Sequence, residues 1–134
     1  MGDEHMQRVM ATLRITNYAR SKAFYVDGLG FQIDWEHRFA PHLPVFAQVS
    51  REGLSFFLTE HTGDCPAGAL LHLYVPDVDA WYAELKSKGI NVNEPPSQTL
   101  QGLRDMTVLD PDGNKLRICT RMKEWSRSKP QKAD

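Results

Sequence analysis

LRITNYARSKAFYVDGLGFQI, residues 13–33, and LYVPDVDAWYAELKSKGINV, residues 73–92, follow one plan. Each opens on alternating apolar residues, the period of a strand. Each then places an N-capping side chain, Asn17 or Asp77, before a helix. The two caps stand 60 positions apart. Both helices close near glycine, Gly28 or Gly30 in the first copy and Gly89 in the second, as helix C-termini often do. Both segments then enter another strand.

A second pair of segments keeps the same offset. FAQVSREGLSFFL (46–58) and MTVLDPDGNKLRI (106–118) each read as strand, turn, strand, and their turn glycines, Gly53 and Gly113, are again 60 apart. The DPDGN turn is rich in residues that favour chain reversal. Two independent landmarks at one offset mark an internal repeat. Each copy reads βαβββ, with the break at HTGDCPAGA, 61–69. The second helix carries Val78, Trp81, Tyr82 and Leu85 at i, i+3, i+4 and i+7. The first has a looser stripe of Tyr18, Ala23, Phe24 and Leu29. The fold class is therefore α+β: two tandem βαβββ modules whose curved mixed sheets surround a cleft. The modules span 8–60 and 69–120, in one domain of 8–120.

Composition agrees with a globular chain. Of 134 residues, 41% are hydrophobic and 25% charged, ordinary for such a domain. No apolar run approaches the roughly 20 residues that span a bilayer, and MGDEHMQRVM lacks the apolar core of a signal peptide. Cys65 and Cys119 form no C-x-x-C pair. A cytoplasmic protein with free thiols and no membrane partner is expected. The net charge of −1 is uneven: residues 121–134 sum to +3, leaving −4 on the rest. This basic tail reads as a short polar terminus, expected to be disordered, and no nucleic-acid partner is expected.

AFYVDGLGF early and DPDGN late, inside a doubled βαβββ module, resemble the glyoxalase/bleomycin-resistance/dioxygenase (vicinal oxygen chelate) superfamily over roughly residues 8–120. That resemblance implies one divalent metal held at four positions, on the first and last strand of each module. Counted from the helix caps and turn glycines, those positions are Met10, Phe57, Leu70 and Arg117. A hard dication takes carboxylate oxygen or imidazole nitrogen. None of the four supplies either, and Arg does not deprotonate in a protein. No metal and no cofactor are therefore expected. A shift of two residues brings in His72 but no carboxylate at the other places.

The sequence also resembles the bleomycin-resistance branch. GFQIDWEHRFAP (30–41) is similar to its acidic–aromatic segment, with Asp34, Trp35 and Phe39 in place. Exposed aromatic rings stack on flat heteroaromatic groups, and Asp34, Glu36 and Glu60 would attract a cation. The bland reading is that Trp35 and Phe39 pack a core or a dimer interface. GLRDMTVLDPDGN resembles the WGxRE-type segment of bleomycin-binding proteins, but Gln101 or Gly102 stands where that segment has Trp. Strand alternation puts Leu70, His72 and Tyr74 on one face. His72 is either a satisfied core histidine or a ligand contact. Arg117 is either a fixed cation in the old metal position, pairing with an acid or an anionic ligand, or a strand residue whose head reaches water.

The ligand-binding residues expected are thus Asp34, Trp35, Phe39, Phe57, His72, Tyr74 and Arg117, with no catalytic residue. There is no nucleophile elbow, no phosphate-binding glycine loop, and no ligand-like pairing of His37, His42 and His61. The function expected is a metal-free, bleomycin-resistance-type binding protein. It would sequester a cationic or heteroaromatic small molecule in a cleft of a homodimer. The alternative is a glyoxalase-like lyase or isomerase, or a dioxygenase, with an atypical metal site.

Overall fold

The computed structural model describes residues 7–100 and 102–122. It contains two four-stranded sheets, β1-β4-β3-β2 and β5-β8-β7-β6. The chain divides into two compact units. One holds the described residues up to Ala69 together with Asp110–Asn114, and the other Leu70–Leu109 with the described residues from Lys115 on.

In the first unit, β1 (Thr12–Arg14) runs parallel to β4 (Leu54–Thr59), which pairs antiparallel with β3 (Phe46–Arg51), and β3 with β2 (Gln32–His37). The β3–β4 turn is a two-residue loop with φ of 51° at Glu52 and 85° at Gly53. Two positive φ values match the twist of the flanking strands. Between β1 and β2 lies α1 (Tyr18–Lys22), continued as a π-helical segment over Ala23–Gly28. The Asn17 side chain accepts from Arg20 N at 3.0 Å and caps its start.

The buried stripe of this helix differs from the expected one. Tyr18, Ser21, Tyr25 and Gly28 face inward, Ala23 is exposed, and Phe24 is half-buried. A buried phenol is tolerated only when its hydroxyl finds a partner, and Tyr25 donates to Asp110 Oδ2 at 2.7 Å. Its ring meets Phe56 at 5.7 Å and Phe31 at 6.3 Å. Around them Leu13, Ile15, Ala47, Val49 and Leu58 are fully buried. Each large side chain here contributes about 1.5–3 kcal/mol of gross burial.

The second unit repeats the pattern. β5 (Leu70–Tyr74) is parallel to β8 (Lys115–Arg121), which pairs with β7 (Leu103–Leu109), and β7 with β6 (Glu94–Leu100). α2 (Val78–Ser87) begins at the Asp77 cap and buries Val78, Trp81 and Leu85; Tyr82 stays half-buried. These pack with Leu73, Met106, Val108, Leu116 and Ile118. The second strand of this unit starts at Glu94. It tolerates Pro95 and Pro96 because β6 is an edge strand whose register breaks between Glu94 and Ser97. β8 runs to Arg121, and the rest of the expected tail from Lys123 lies outside the described residues. Among the described residues no helix is long and apolar enough to cross a membrane.

Candidate functional site

Each sheet has one face closed by its own helix and core, and one face opposite. In the first unit the register sets Thr12, Phe57, Gln48 and Trp35 in one row across four strands. Their side chains share the face opposite Leu58 and Ala47. Phe46 lies in the next row, paired with His37. Three rings thus meet: Trp35–Phe46 at 5.8 Å, Trp35–Phe57 at 5.9 Å and Phe46–Phe57 at 5.0 Å, all tilted between 31° and 46°. Trp35 remains 42% exposed, so the cluster is an open aromatic platform rather than core.

Asp34 is the extra residue of a bulge between Ile33 and Trp35. A bulge re-aims a side chain, and here the carboxylate is gripped from three sides. Gln48 Nε2 donates to it at 2.9 Å, Ser50 Oγ at 2.8 Å and Gln32 Nε2 at 3.1 Å. Partial desolvation pushes its pKa up, but the three hydrogen bonds outweigh that and hold it below the usual carboxylate range. The platform therefore carries a fixed anion at one edge. A polar depression of about 400 Å³, lined by Gly30, Gln32, Ser50, Arg51, Glu52 and Gly53, adjoins this network.

The other two acids in this region are committed elsewhere. Glu36 pairs with Ala47, so it sits on the helix-facing side, where Tyr18 Oη donates to it at 2.5 Å and Lys22 Nζ lies 3.4 Å away. The Tyr18 hydrogen bond holds Glu36 below its ordinary pKa, while burial and that same bond push Tyr18 up. Glu60 accepts from Val45 N at 2.9 Å and Tyr18 N at 2.8 Å, tying the loop before β3 to the helix start. Of the three carboxylates expected to draw a cation, Asp34 alone borders the rings.

Phe39 is 76% exposed. Its neighbours are His37 at 4.7 Å and His61 at 6.4 Å, both edge-on, rather than the Trp35 cluster. Phe46 was missed by the sequence reading, as were the three residues that grip Asp34. The signal was present in FAQVS, where Ala47 and Val49 alternate with Phe46, Gln48 and Ser50.

In the second unit His72, Arg117, Thr107 and Glu94 form one row, and Tyr74, Cys119, Asp105 and Ser97 the next. His72 is exposed and Tyr74 44% exposed. Tyr74 is stacked by the Arg121 guanidinium, 4.8 Å from its ring centre. Burial, and then the Asp105 charge, push the Cys119 thiol up to about 11, against a lowering pull from Arg117. A thiol held protonated is a poor nucleophile.

The residues at the four metal positions do not fit a divalent ion. The register sets Thr12 opposite Phe57 and His72 opposite Arg117. Met10 Sδ lies 3.4 Å from the Gln7 amide, and Leu70 is an exposed aliphatic. Among the described residues no three His, Cys, Asp or Glu side chains group to hold an ion. Gln101 lies outside the described residues, and Gly102 forms the β6–β7 turn with φ of 81°.

Residues 1–124 match the family model for glyoxalase superfamily proteins. The chain belongs to the glyoxalase superfamily. No curated protein matches it. Solved structures with the superfamily fold do. TnmS3, an antibiotic binding protein from Streptomyces sp. CB03234, is 27% identical with a TM-score of 0.70, over 87% of this chain and 97% of its own. A glyoxalase/bleomycin resistance protein from the same organism is 29% identical with a TM-score of 0.64, over 82% and 98%. A bleomycin-binding protein complexed with bleomycin is 22% identical with a TM-score of 0.70, over 87% and 99%, and shares the fold. Fold alone does not choose between binding and catalysis.

Proposed function

We propose that this protein is a small-molecule binder of the bleomycin-resistance type. It sequesters a flat, cationic or heteroaromatic ligand without transforming it and without a metal, as a cytoplasmic homodimer. The observation that carries this reading is the open platform of Trp35, Phe46 and Phe57 with the preset Asp34 carboxylate at its edge. Aromatic pairs in offset or tilted geometry are worth about 0.5–1.5 kcal/mol beyond their burial. A ring with a positive charge gains from the platform and the carboxylate together. Phe39, on its own exposed perch, is a further contact in this proposal, and His72 and Tyr74 are proposed ligand contacts on the second sheet. The 27% identity to an antibiotic binding protein supports a binding role.

Tryptophan emission tests the proposal. The chain has three tryptophans, so Trp35→Phe isolates the one on the platform. Bleomycin and a panel of cationic heteroaromatics are titrated into both proteins. Saturable quenching that vanishes in Trp35→Phe, with a raised melting temperature in the parent, is expected. No emission change and no melting shift across the panel would overturn the reading. Light scattering should give twice the chain mass; a monomer at working concentration removes the dimer from it.

A further inference from the structure

We infer that the open face of the second sheet carries an oxyanion subsite centred on the Arg117 guanidinium, with Lys115 and His72 beside it. It takes a carboxylate, phosphate or sulfate group of a small molecule. The inference goes beyond the aromatic reading, because it assigns the second unit a ligand chemistry of its own.

The placement follows from β8. Leu116 and Ile118 are fully buried against α2 and its neighbours. Lys115, Arg117 and Cys119 alternate with them and so share the opposite face. Across the parallel pair, Leu70 meets Lys115 and His72 meets Arg117. A guanidinium, a lysine and an imidazole therefore occupy adjoining positions on two strands. The pull of Arg117 on the Cys119 thiol agrees with a guanidinium lying over this face.

Arg117 differs from Arg14, Arg20, Arg38, Arg51 and Arg104 in what it does with its donors. Arg14, Arg38 and Arg51 each donate to a backbone carbonyl, Ile15 O, Leu43 O and Leu29 O. Arg20 and Arg104 donate to Asp112 and Asp79. Among the described residues the Arg117 guanidinium makes no hydrogen bond and no ion pair, although the residue is half-buried in the middle of a strand. A guanidinium has five N–H donors in a planar fork. No side-chain nitrogen or oxygen among the described residues is both buried and unpaired, so these donors face solvent, where an oxyanion can take two of them by parallel charge-assisted hydrogen bonds.

The nearby acids do not quench this charge. Asp105 is buried and accepts from Thr99 Oγ1 at 2.8 Å. Glu94 stands two strands away and accepts from Thr107 Oγ1 at 3.1 Å. Lys115 likewise has no acidic partner among the described residues. A carboxylate at position 117 would favour a dication; the cation there inverts the preference toward an anion.

The test is a side-chain NMR titration of the full chain with inorganic phosphate and, separately, with acetate. Both are run at constant ionic strength against a chloride control. The Arg117 Nε–Hε signal and the amides of Lys115 and His72 should shift saturably with phosphate, acetate or both. The two arms show whether tetrahedral or planar anions are preferred. Arg117→Gln should abolish saturation, and Lys115→Gln, at an exposed position, should weaken it roughly two- to fivefold, as the loss of one solvent-exposed charge does. Shifts that follow ionic strength alone, or that are unaltered in Lys115→Gln and Arg117→Gln, would overturn the inference. The readout is separate from Trp35 emission. Loss of phosphate response with intact quenching removes the anion subsite alone, and the reverse removes the aromatic platform alone.

Discussion

Tyr25 Oη donates a 2.7 Å hydrogen bond to Asp110 Oδ2 across 85 positions of sequence, and both groups are buried. Asp110 is a hub. Its Oδ1 accepts from the amides of Asp112 at 2.9 Å and Asn114 at 2.8 Å, and its Oδ2 also accepts from Asn114 Nδ2 at 2.9 Å. Asn114 in turn reaches Arg14 O and receives the amides of Gly68 and Ala69. The DPDGN turn is therefore wired into the first unit, although its flanking strands belong to the second.

Removing the phenol oxygen should be costly out of proportion to one atom. Tyr25→Phe keeps the ring contacts with Phe31 and Phe56 but leaves a buried carboxylate one donor short. An unsatisfied buried group costs about 1–3 kcal/mol, more when charged. Urea unfolding should show a loss in that range with an unchanged slope. A loss below ~0.5 kcal/mol would mean that water or Asn114 replaces the phenol.

The repeat was legible because capping and turn chemistry are local. Asn17 and Asp77 do cap helices, and Gly53 and Gly113 do sit at φ of 85° and 83°. The stripe of the first helix was misread because tyrosine is ambiguous in an apolar count. Tyr25 is buried only by virtue of Asp110, which no window around residue 25 contains. At the candidate site, Trp35 came from the likeness of GFQIDWEHRFAP to the bleomycin-resistance segment, and Phe57 from the count after Gly53. Phe46 was readable in the alternation of FAQVS, but the grip on Asp34 was not, because a bulge of one residue changes which side chains meet across β2 and β3. Glu36 and Glu60 do not border the rings, because proximity in sequence does not say which face a carboxylate occupies.

Alkaline pH should unfold the protein earlier than its acid groups suggest. Cys119 is raised from about 9 to about 11, and Tyr25 is pushed well above its ordinary value by burial and Asp110. Folded-state values above the unfolded ones mean that the native chain holds protons more tightly. Their stabilisation is complete below pH 9 and is lost as pH rises through 9 to 11 and beyond. Cys119→Ala should flatten the first part of that decline in a melting-temperature series from pH 8 to 11. An identical slope in parent and variant would contradict the assignment.

Glycine at the two hairpin turns should matter through backbone conformation alone. A methyl group added at Gly53 or Gly113 meets nothing within 4 Å, yet both positions have positive φ. Gly53→Ala and Gly113→Ala should each cost about 1–2 kcal/mol from the left-handed conformation. Chemical denaturation checks this, and a stabilised variant would show that the turn has re-formed in another type.

Asp34 should set charge preference without setting stacking. In Asp34→Asn, a flat cationic ligand should bind roughly two- to fivefold more weakly, the scale of a solvent-exposed charge pair. A neutral ring of the same size should be unaffected. Because hydrogen bonds from Gln48, Ser50 and Gln32 hold Asp34 below its ordinary value of 3.8, the preference should persist down to about pH 4 and fade only below it. Calorimetric titration of the two ligands in both proteins separates charge from stacking. Equal losses for both would place Asp34 in the shape of the platform rather than its field.

Metal removal should change nothing. With Phe57 and Arg117 on the last strands and Thr12 and His72 opposite them, these four places offer one imidazole and no carboxylate to a dication. His72 alone is too poor a donor set to hold Zn, Ni, Mn or Fe against a chelator. Dialysis against EDTA should leave melting temperature and tryptophan quenching where they were, and elemental analysis should find well under one equivalent per chain. One tightly held equivalent, lost together with ligand binding on chelation, would return the protein to the metal-dependent side of its superfamily.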